Sequence, residues 1–313
     1  MPSTFLGITT GSKLYLTSQL KINLILWLDE AFINAGMYRR LPTSGELDYA
    51  GNILTQLNPI TDARYPSGTY WEARTNNWVY ESGLAIQTGF TEPLRPSGIY
   101  LRVPGGSYTF YASGTANGNY NYKFDFKKGS VRFTNNDVVP PESTIIVPHT
   151  YKEVHVDLAG NERFKQIAYS DTKNETLGSG TGFPTDNQVQ LPAVFIQHID
   201  RRWKPLALGG NKIALDNIVM HVFAENETDR DQICDILDGL QSKSIKLADF
   251  NSSPFPLDDN GEPNPAYPNL DTLQTTNFYR NCYFKEVDSS RFDSNTGFYR
   301  GQVNMLLEIL SFN

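Results

Sequence analysis

Cysteine is scarce, with only Cys234 and Cys282 in 313 residues. Two thiols cannot build a disulfide scaffold. Cys234 falls beside the apolar stripe of a helix predicted below, where a reduced thiol serves as a small apolar side chain. Histidine is nearly as rare: His149, His155, His198 and His221 form no HxH or HxxxH pair. Each falls in or beside a predicted strand, which fits strand histidines better than metal ligands. Long apolar runs are missing too. The longest, 22–28, is interrupted by Asn23 and falls far short of the roughly 20 residues that cross a bilayer. Residues 1–10 show neither a basic start nor a sustained apolar run, so the expectation is no secretion signal and synthesis in a reducing cytoplasm. The sequons at Asn174, Asn226 and Asn251 then carry no weight. Positive charge is in deficit, with Lys and Arg at 27 against Asp and Glu at 34, a net charge of −7. That balance excludes a binder that works by neutralising phosphates, and suits a soluble surface or a wall along which DNA slides.

What is abundant is aromatic and turn-forming. Tyr (17) and Phe (18) accompany Gly (24) and Pro (18), a β-rich composition punctuated by turns. Hydrophobic residues at 39% are enough for real cores, and the length allows two domains or one elaborated domain.

The best-specified stretch is 216–243. Ile218, Val219, Met220, Val222, Phe223 and Ala224 are apolar on both alternating faces and predict a strand covered on two sides. Asn226 and Thr228 both offer N-caps, and Thr228-Asp229-Arg230-Asp231 is a capping-box variant. Ile233, Ile236, Leu237 and Leu240 then recur at helical spacing on one side, ahead of Lys243 and Lys246.

Upstream, Thr17 or Ser18 caps a helix that runs to about Ala35 and stops at Gly36. Leu20, Leu24, Trp27, Leu28, Ala31 and Phe32 line one face, and Ile22, Ile25 and Ile33 make other faces apolar. Such a helix is buried, in a core or against a neighbouring subunit. Residues 41–67 read as a linker. Short strands follow at 78–81, 98–103, 108–111, 122–126 and 131–133, with turns at Pro104-Gly105-Gly106 and Lys127-Lys128-Gly129. Ile145, Val147, His149 and Tyr151 continue the alternation ahead of Val154 and Val156. This rhythm predicts a small sandwich or barrel. Residues 171–190 form a polar loop, 191–196 a strand, and 206–210 a turn. The chain closes on strands at 278–287 and 301–309. Ahead of them, 249–277 holds five prolines and almost no periodicity, the pattern of an excursion.

Catalytic groupings fail on context. Gly178-Ser179-Gly180-Thr181-Gly182 imitates a nucleophile elbow without the strand before it or the helix after it. Asp258-Asp259-Asn260-Gly261-Glu262 resembles part of a calcium loop but would need its first acid at Pro256 and its last at Tyr267. Asp200-Arg201-Arg202 is a charge cluster that reads as a solvated hairpin tip, with the alternative that it joins subunits. The expectation is a structural protein rather than an enzyme, with no catalytic residue, cofactor or metal.

Several segments together carry a resemblance. Trp78-Val79-Tyr80-Glu81-Ser82-Gly83, Gly98-Ile99-Tyr100, residues 124–133, Leu191-Pro192-Ala193-Val194-Phe195-Ile196, Leu206-Ala207-Leu208-Gly209-Gly210, the strand–helix unit and Tyr299-Arg300-Gly301-Gln302-Val303 follow in order. The chain from Leu20 onward resembles a family of virion structural proteins of tailed bacteriophages, found among marine phages and often labelled neck proteins. The order of helix, strand, hairpin, strand and helix is also similar to the core of tail terminator proteins, a likeness of fold alone.

These resemblances imply an α+β fold: a tail-terminator-like α/β core carrying an inserted small β-sandwich or barrel. The expected divisions are 1–67 (helix and linker), 68–170 (β-rich insertion) and 171–313 (core, with a Pro-rich arm at 249–277). The implied function is a neck subunit in the virion, a terminator or head-to-tail connector. It would form a ring with itself, hexameric on the terminator likeness, meet neck and tail-tube proteins, and pass DNA without specific binding or membrane contact. Both helices would pack on one sheet. A decoration or adhesion module is the alternative, favoured if Tyr108, Tyr111, Tyr120 and Tyr122 are exposed together; a tail-associated hydrolase ranks third. Phe255, Leu257, Tyr267 and Leu270 are the expected anchors of the arm in an adjacent subunit, and Arg201 and Arg202 further interface candidates.

Overall fold

Alternation sustained over thirteen residues or more builds strands far longer than the usual five or six, and four of these organise half the chain. The computed structural model describes residues 4–5, 8–9, 14–41, 55–60, 65–81, 95–113, 120–134, 139–140, 142–160, 164, 191–206, 212–292 and 298–311. Helices and a majority of strands make the class α+β. The chain divides into two units: residues 1–32, 154–255 and 268–313, and residues 33–153 with 256–267. The expected insertion at 68–170 therefore begins and ends earlier, and part of the Pro-rich segment belongs to it.

A short hairpin, β1 (Thr4–Phe5) and β2 (Ile8–Thr9), precedes α1 (Leu16–Asn34). Leu20, Ile22, Leu24, Ile25, Leu26 and Leu28 are all buried, so this all-round apolar helix is a core helix of its own chain.

The second unit holds β3 (Tyr38–Leu41), β4 (Gln56–Pro59), β5 (Tyr70–Glu72), β6 (Gly98–Arg102), β7 (Thr109–Ala112), β8 (Tyr122–Asp125), β9 (Ser130–Phe133), β10 (Thr144–Ile146) and β11 (His149–Lys152). Seven of them form one sheet, ordered β7-β6-β10-β4-β5-β9-β8, while β11 pairs with β3. The alternation of 145–151 looks like one strand, yet Pro148 splits it between two ladders, because proline has no N–H to give a continuing one. The sheet curls: Tyr122 on one edge strand donates its hydroxyl to the Tyr111 carbonyl on the other, at 2.7 Å. Trp71, Trp78, Phe124, Phe126, Val131 and Phe133 fill the core, with Phe124 and Phe126 edge-on to Trp78. Residues 41–67, read as a linker, contain β4, which pairs with both β10 and β5.

The first unit adds β12 (His155–Leu158), β13 (Ala193–Pro205), β14 (Lys212–Ala224), α2 (Glu227–Asp238), β15 (Ser244–Ala248), α3 (Leu270–Thr276), β16 (Phe278–Phe292) and β17 (Tyr299–Ser311). Its sheet runs β12-β13-β14-β17-β16-β15, with only β12–β13 parallel. Asn226 is the N-cap of α2, its carboxamide oxygen accepting from the Asp229 N–H at 2.8 Å. Ile233, Cys234, Leu237 and Leu240 are buried as the spacing predicts. A Cβ on Gly301 of β17 would lie 2.5 Å from Cys234 Sγ, so glycine there lets α2 sit against the sheet. Trp27 of α1 meets Phe284 of β16 at 5.6 Å. Val222, opposite Gly301, and Phe284 project from the same face, so both helices cover one side. On the other side Phe195 and Phe223 pack with Phe164, which also lies against His221 of β14.

One edge of this sheet is closed by side chains of α1. Asn23 is fully buried; its Nδ2 donates to the Ala248 carbonyl at 3.0 Å and its Oδ1 accepts from the Ala248 N–H at 2.7 Å. Gln19 continues the edge, accepting from the Phe250 N–H at 2.9 Å and donating to Asp249 at 2.7 Å. The amides stand in for a further strand.

Asn23→Leu strips both partners from Ala248 and should cost about 2–4 kcal/mol. Leu237→Ala should cost about 2–5 kcal/mol, and Gln241→Ala, on the exposed turn after α2, little. Urea denaturation of the three variants checks this ranking; equal midpoints would contradict it.

Candidate assembly surface

The segment 249–277 is not a free arm. Its start packs in the first unit, where Phe250 and Phe255 rings lie 5.5 Å apart. Leu257 joins the aromatic core of the second unit. Tyr267 is half-buried in a turn closed by its own N–H on the Asn264 carbonyl, and Leu270 is buried as the first residue of α3. The expectation that these residues anchor in a neighbour is corrected for Leu257 and Leu270, which are seated within their own chain. Local periodicity could not show this for Leu257, whose aromatic partners are distant in sequence.

The calcium-like stretch is a turn in the same segment. Asp258 Oδ1 accepts from the N–H groups of Asn260 and Glu262 at 2.8 and 3.0 Å. The Gly261 carbonyl accepts from the Phe126 N–H at 3.0 Å, and Glu262 pairs with Lys123 at 2.6 Å. Gly261 has φ +80°, and a Cβ there would collide with the Asp125 carboxylate, so glycine is required twice over. Burial raises the Asp125 carboxyl above the usual carboxylate range. No group of three or more His, Cys, Asp or Glu able to hold a metal occurs among the described residues.

Asp200, Arg201 and Arg202 lie in mid-strand on β13, not at a hairpin tip. A β-bulge between His198 and Asp200 shifts the alternation, so that His198 and Arg201, three apart, share one face. Both reach the fully buried Asp216 of β14: His198 Nε2 lies 2.6 Å from Asp216 Oδ1, and Arg201 Nε donates to the same oxygen at 2.8 Å. Arg201 is thus spent inside the sheet, clamping the bulged strand to its neighbour. The Arg202 side chain points the other way, 73% exposed and 3.4 Å from Asp200. Strict alternation from His198 would have buried Arg202 instead. Of the two sequence candidates, only Arg202 is exposed.

Exposed large apolar residues fall in a pattern that local periodicity does not reveal. Ile199, Trp203, Phe278, Tyr283 and Phe292 all lie on β13 or β16, and Leu206 directly follows β13. Elsewhere among the described residues only Tyr15, Tyr108 and Phe110 are comparably exposed. Tyr111, Tyr120 and Tyr122 pack on the core of the second unit, so the four tyrosines do not make an exposed cluster. The Gly178-to-Gly182 motif with Ser179, the 171–190 loop and the 207–210 turn lie outside the described residues.

The histidines are held in strands or beside them. His149 stacks on Trp78 at 4.4 Å; its Nδ1 donates to the Val147 carbonyl at 2.7 Å, which leaves Nε2 to accept from the Thr75 hydroxyl at 2.6 Å. Burial pushes its pKa down to about 4 and also lowers that of His221, whose Nε2 lies 2.8 Å from Gln197 Oε1. Both cysteines are free and buried. Burial pushes the Cys234 thiol up to about 11 and raises Cys282, with the Asp216 charge adding to the latter. Lys152 is buried against Glu81, its ammonium 4.1 Å from the centre of the Tyr80 ring. No helix among the described residues is long and apolar enough to cross a membrane. No protein-family profile and no characterised protein matches the chain.

His149 supplies a pH dependence of known sign. The unfolded chain takes up a proton near pH 6.5 while the folded one resists until about 4. Its contribution is therefore complete above pH 6.5 and is lost as pH falls towards 4, about 3 kcal/mol in all. Urea unfolding of the native chain and His149→Phe should give stability curves that converge on acidification. Parallel curves would remove His149 as the cause.

Proposed function

We propose that this chain is a ring-forming structural subunit of the neck of a tailed bacteriophage, of tail-terminator or head-to-tail connector type. The observation that carries the reading is the concentration of exposed apolar side chains on β13 and β16, the long strands that flank the paired centre of a rigid sheet. Side chains such as Trp203 and Phe292, about half exposed, favour burial against another protein surface. A sheet backed on one face by α1 and α2 provides a stiff platform for repeated subunit contacts, and the order helix, hairpin, helix supports the terminator likeness. An acidic chain lining or surrounding a channel repels DNA phosphates, which lets DNA pass without being held.

The decoration-module reading has lost the observation it needed, since only Tyr108 of its four tyrosines is exposed. His198, Arg201 and Asp216, which do meet, are bound to one another in a clamp.

Disrupting the gene in the phage that encodes the chain tests the function. The expected outcome is DNA-filled heads and separate tails that fail to join, restored by the intact gene. Infectious particles of normal shape without this protein would overturn the proposal.

A further inference from the structure

The six-stranded sheet has two half-open edges. β12 pairs only with residues 193–196 of β13, and β15 only with residues 278–283 of β16, followed by a backbone pair between Phe284 and the 242–243 turn. Beyond these, 197–205 of β13 and 285–292 of β16 have no strand on their outer side among the described residues. The open halves sit at opposite edges and opposite ends of the sheet. An unpaired ladder of this length is a template for another strand.

We infer that the two half-edges pair with each other between neighbouring copies of this chain, 200–204 of one copy running antiparallel to 286–290 of the next. The inference rests on the ring reading and specifies the contact. Three observations select the register. First, β13 and β16 run in opposite directions within the sheet, so like-oriented copies meet antiparallel.

Second, residues opposite each other must project from the same face. Arg202, opposite Leu215, shares its face with Asp288, which lies opposite Asn304. Setting Arg202 against Asp288 also sets Lys204 against Glu286, two pairs of opposite charge, and Trp203 against Val287, an apolar pair on the other face. Sliding by two residues to set Arg202 against Glu286 would place Asp200 on Asp288 and lose the match. The paired stretch ends at the existing irregularities, the bulge between His198 and Asp200 and the one between Phe284 and Glu286.

Third, the displacement fits closure. Within one copy Arg201 is level with Phe284, through Asp216 and Leu307. In the joined pair it meets Ser289, which is level with Val303 and so four ladder steps beyond Phe284 once the bulge is discounted; this is a slip of ~13 Å for every four long strands, which span ~19 Å. The corresponding strand tilt is about 35°, at the lower end of the range at which sheets close on themselves. The contact is heterologous, the kind that builds a ring when the rotation between copies closes.

Cross-linking of full-length chains tests the contact. Arg202→Cys and Asp288→Cys are made separately, at exposed positions that leave both cores intact; Cys234 and Cys282 stay buried. Native mass is recorded first, then mild oxidant is added. The expected result is a disulfide-linked dimer when the two variants are mixed and none from either alone, with the double variant giving a covalent ladder up to the full ring. Arg202→Cys paired with Val287→Cys, which projects to the other face, should not link. Self-linking of Arg202→Cys would mean an isologous edge and overturn the register. A ring that forms without cross-links would overturn the edge contact while leaving the neck reading in place. A chain that stays monomeric at every concentration would overturn both.

Discussion

Backbone hydrogen bonding along four long strands is the constraint on which the first unit depends. Each strand of thirteen to fifteen residues carries a row of N–H and C=O groups that water or another strand must satisfy. The centre of the sheet is satisfied by its own ladders. The β15 edge is satisfied in a different way, by Asn23 and Gln19 of a helix that is otherwise apolar. Those two amides explain why polar residues interrupt the most hydrophobic stretch of the chain: they are buried because the sheet edge needs them. No comparable device guards the open halves of β13 and β16 among the described residues. The same constraint that stabilises the fold therefore leaves the backbone groups of these half-edges to be satisfied by water or by another strand.

Much of this was legible in the sequence wherever the governing contacts are local. The α2 stripe, its Asn226 cap and the hairpins around Gly105 and Gly129 follow from spacing and turn chemistry over a few residues. What was not legible rests on pairings distant in sequence or on register. A bulge after His198 exchanges the fates of Arg201 and Arg202, and nothing in the residue types marks the inserted position. Pro148 interrupts an alternation that otherwise looks continuous. The segment 249–277 looked coreless because Leu257 finds its core far away in the chain, and Leu257 and Leu270 lie in different units.

Burial of polar groups follows one logic in both units. Asp216 is held by His198 and Arg201, Lys152 by Glu81 and Tyr80, and His149 by Thr75 and the Val147 carbonyl. Each is a group that would cost several kcal/mol if left alone in a dry interior, and each finds a partner on an adjoining strand or loop. Such clamps fix one arrangement of the strands.

Rotational averaging of electron micrographs of the assembled protein, purified from particles or self-assembled from the full chain, tests the central claim most directly. The account predicts a closed ring with a single rotational symmetry and continuous density from one subunit sheet to the next. Isolated monomers, or open filaments without closure, would contradict it.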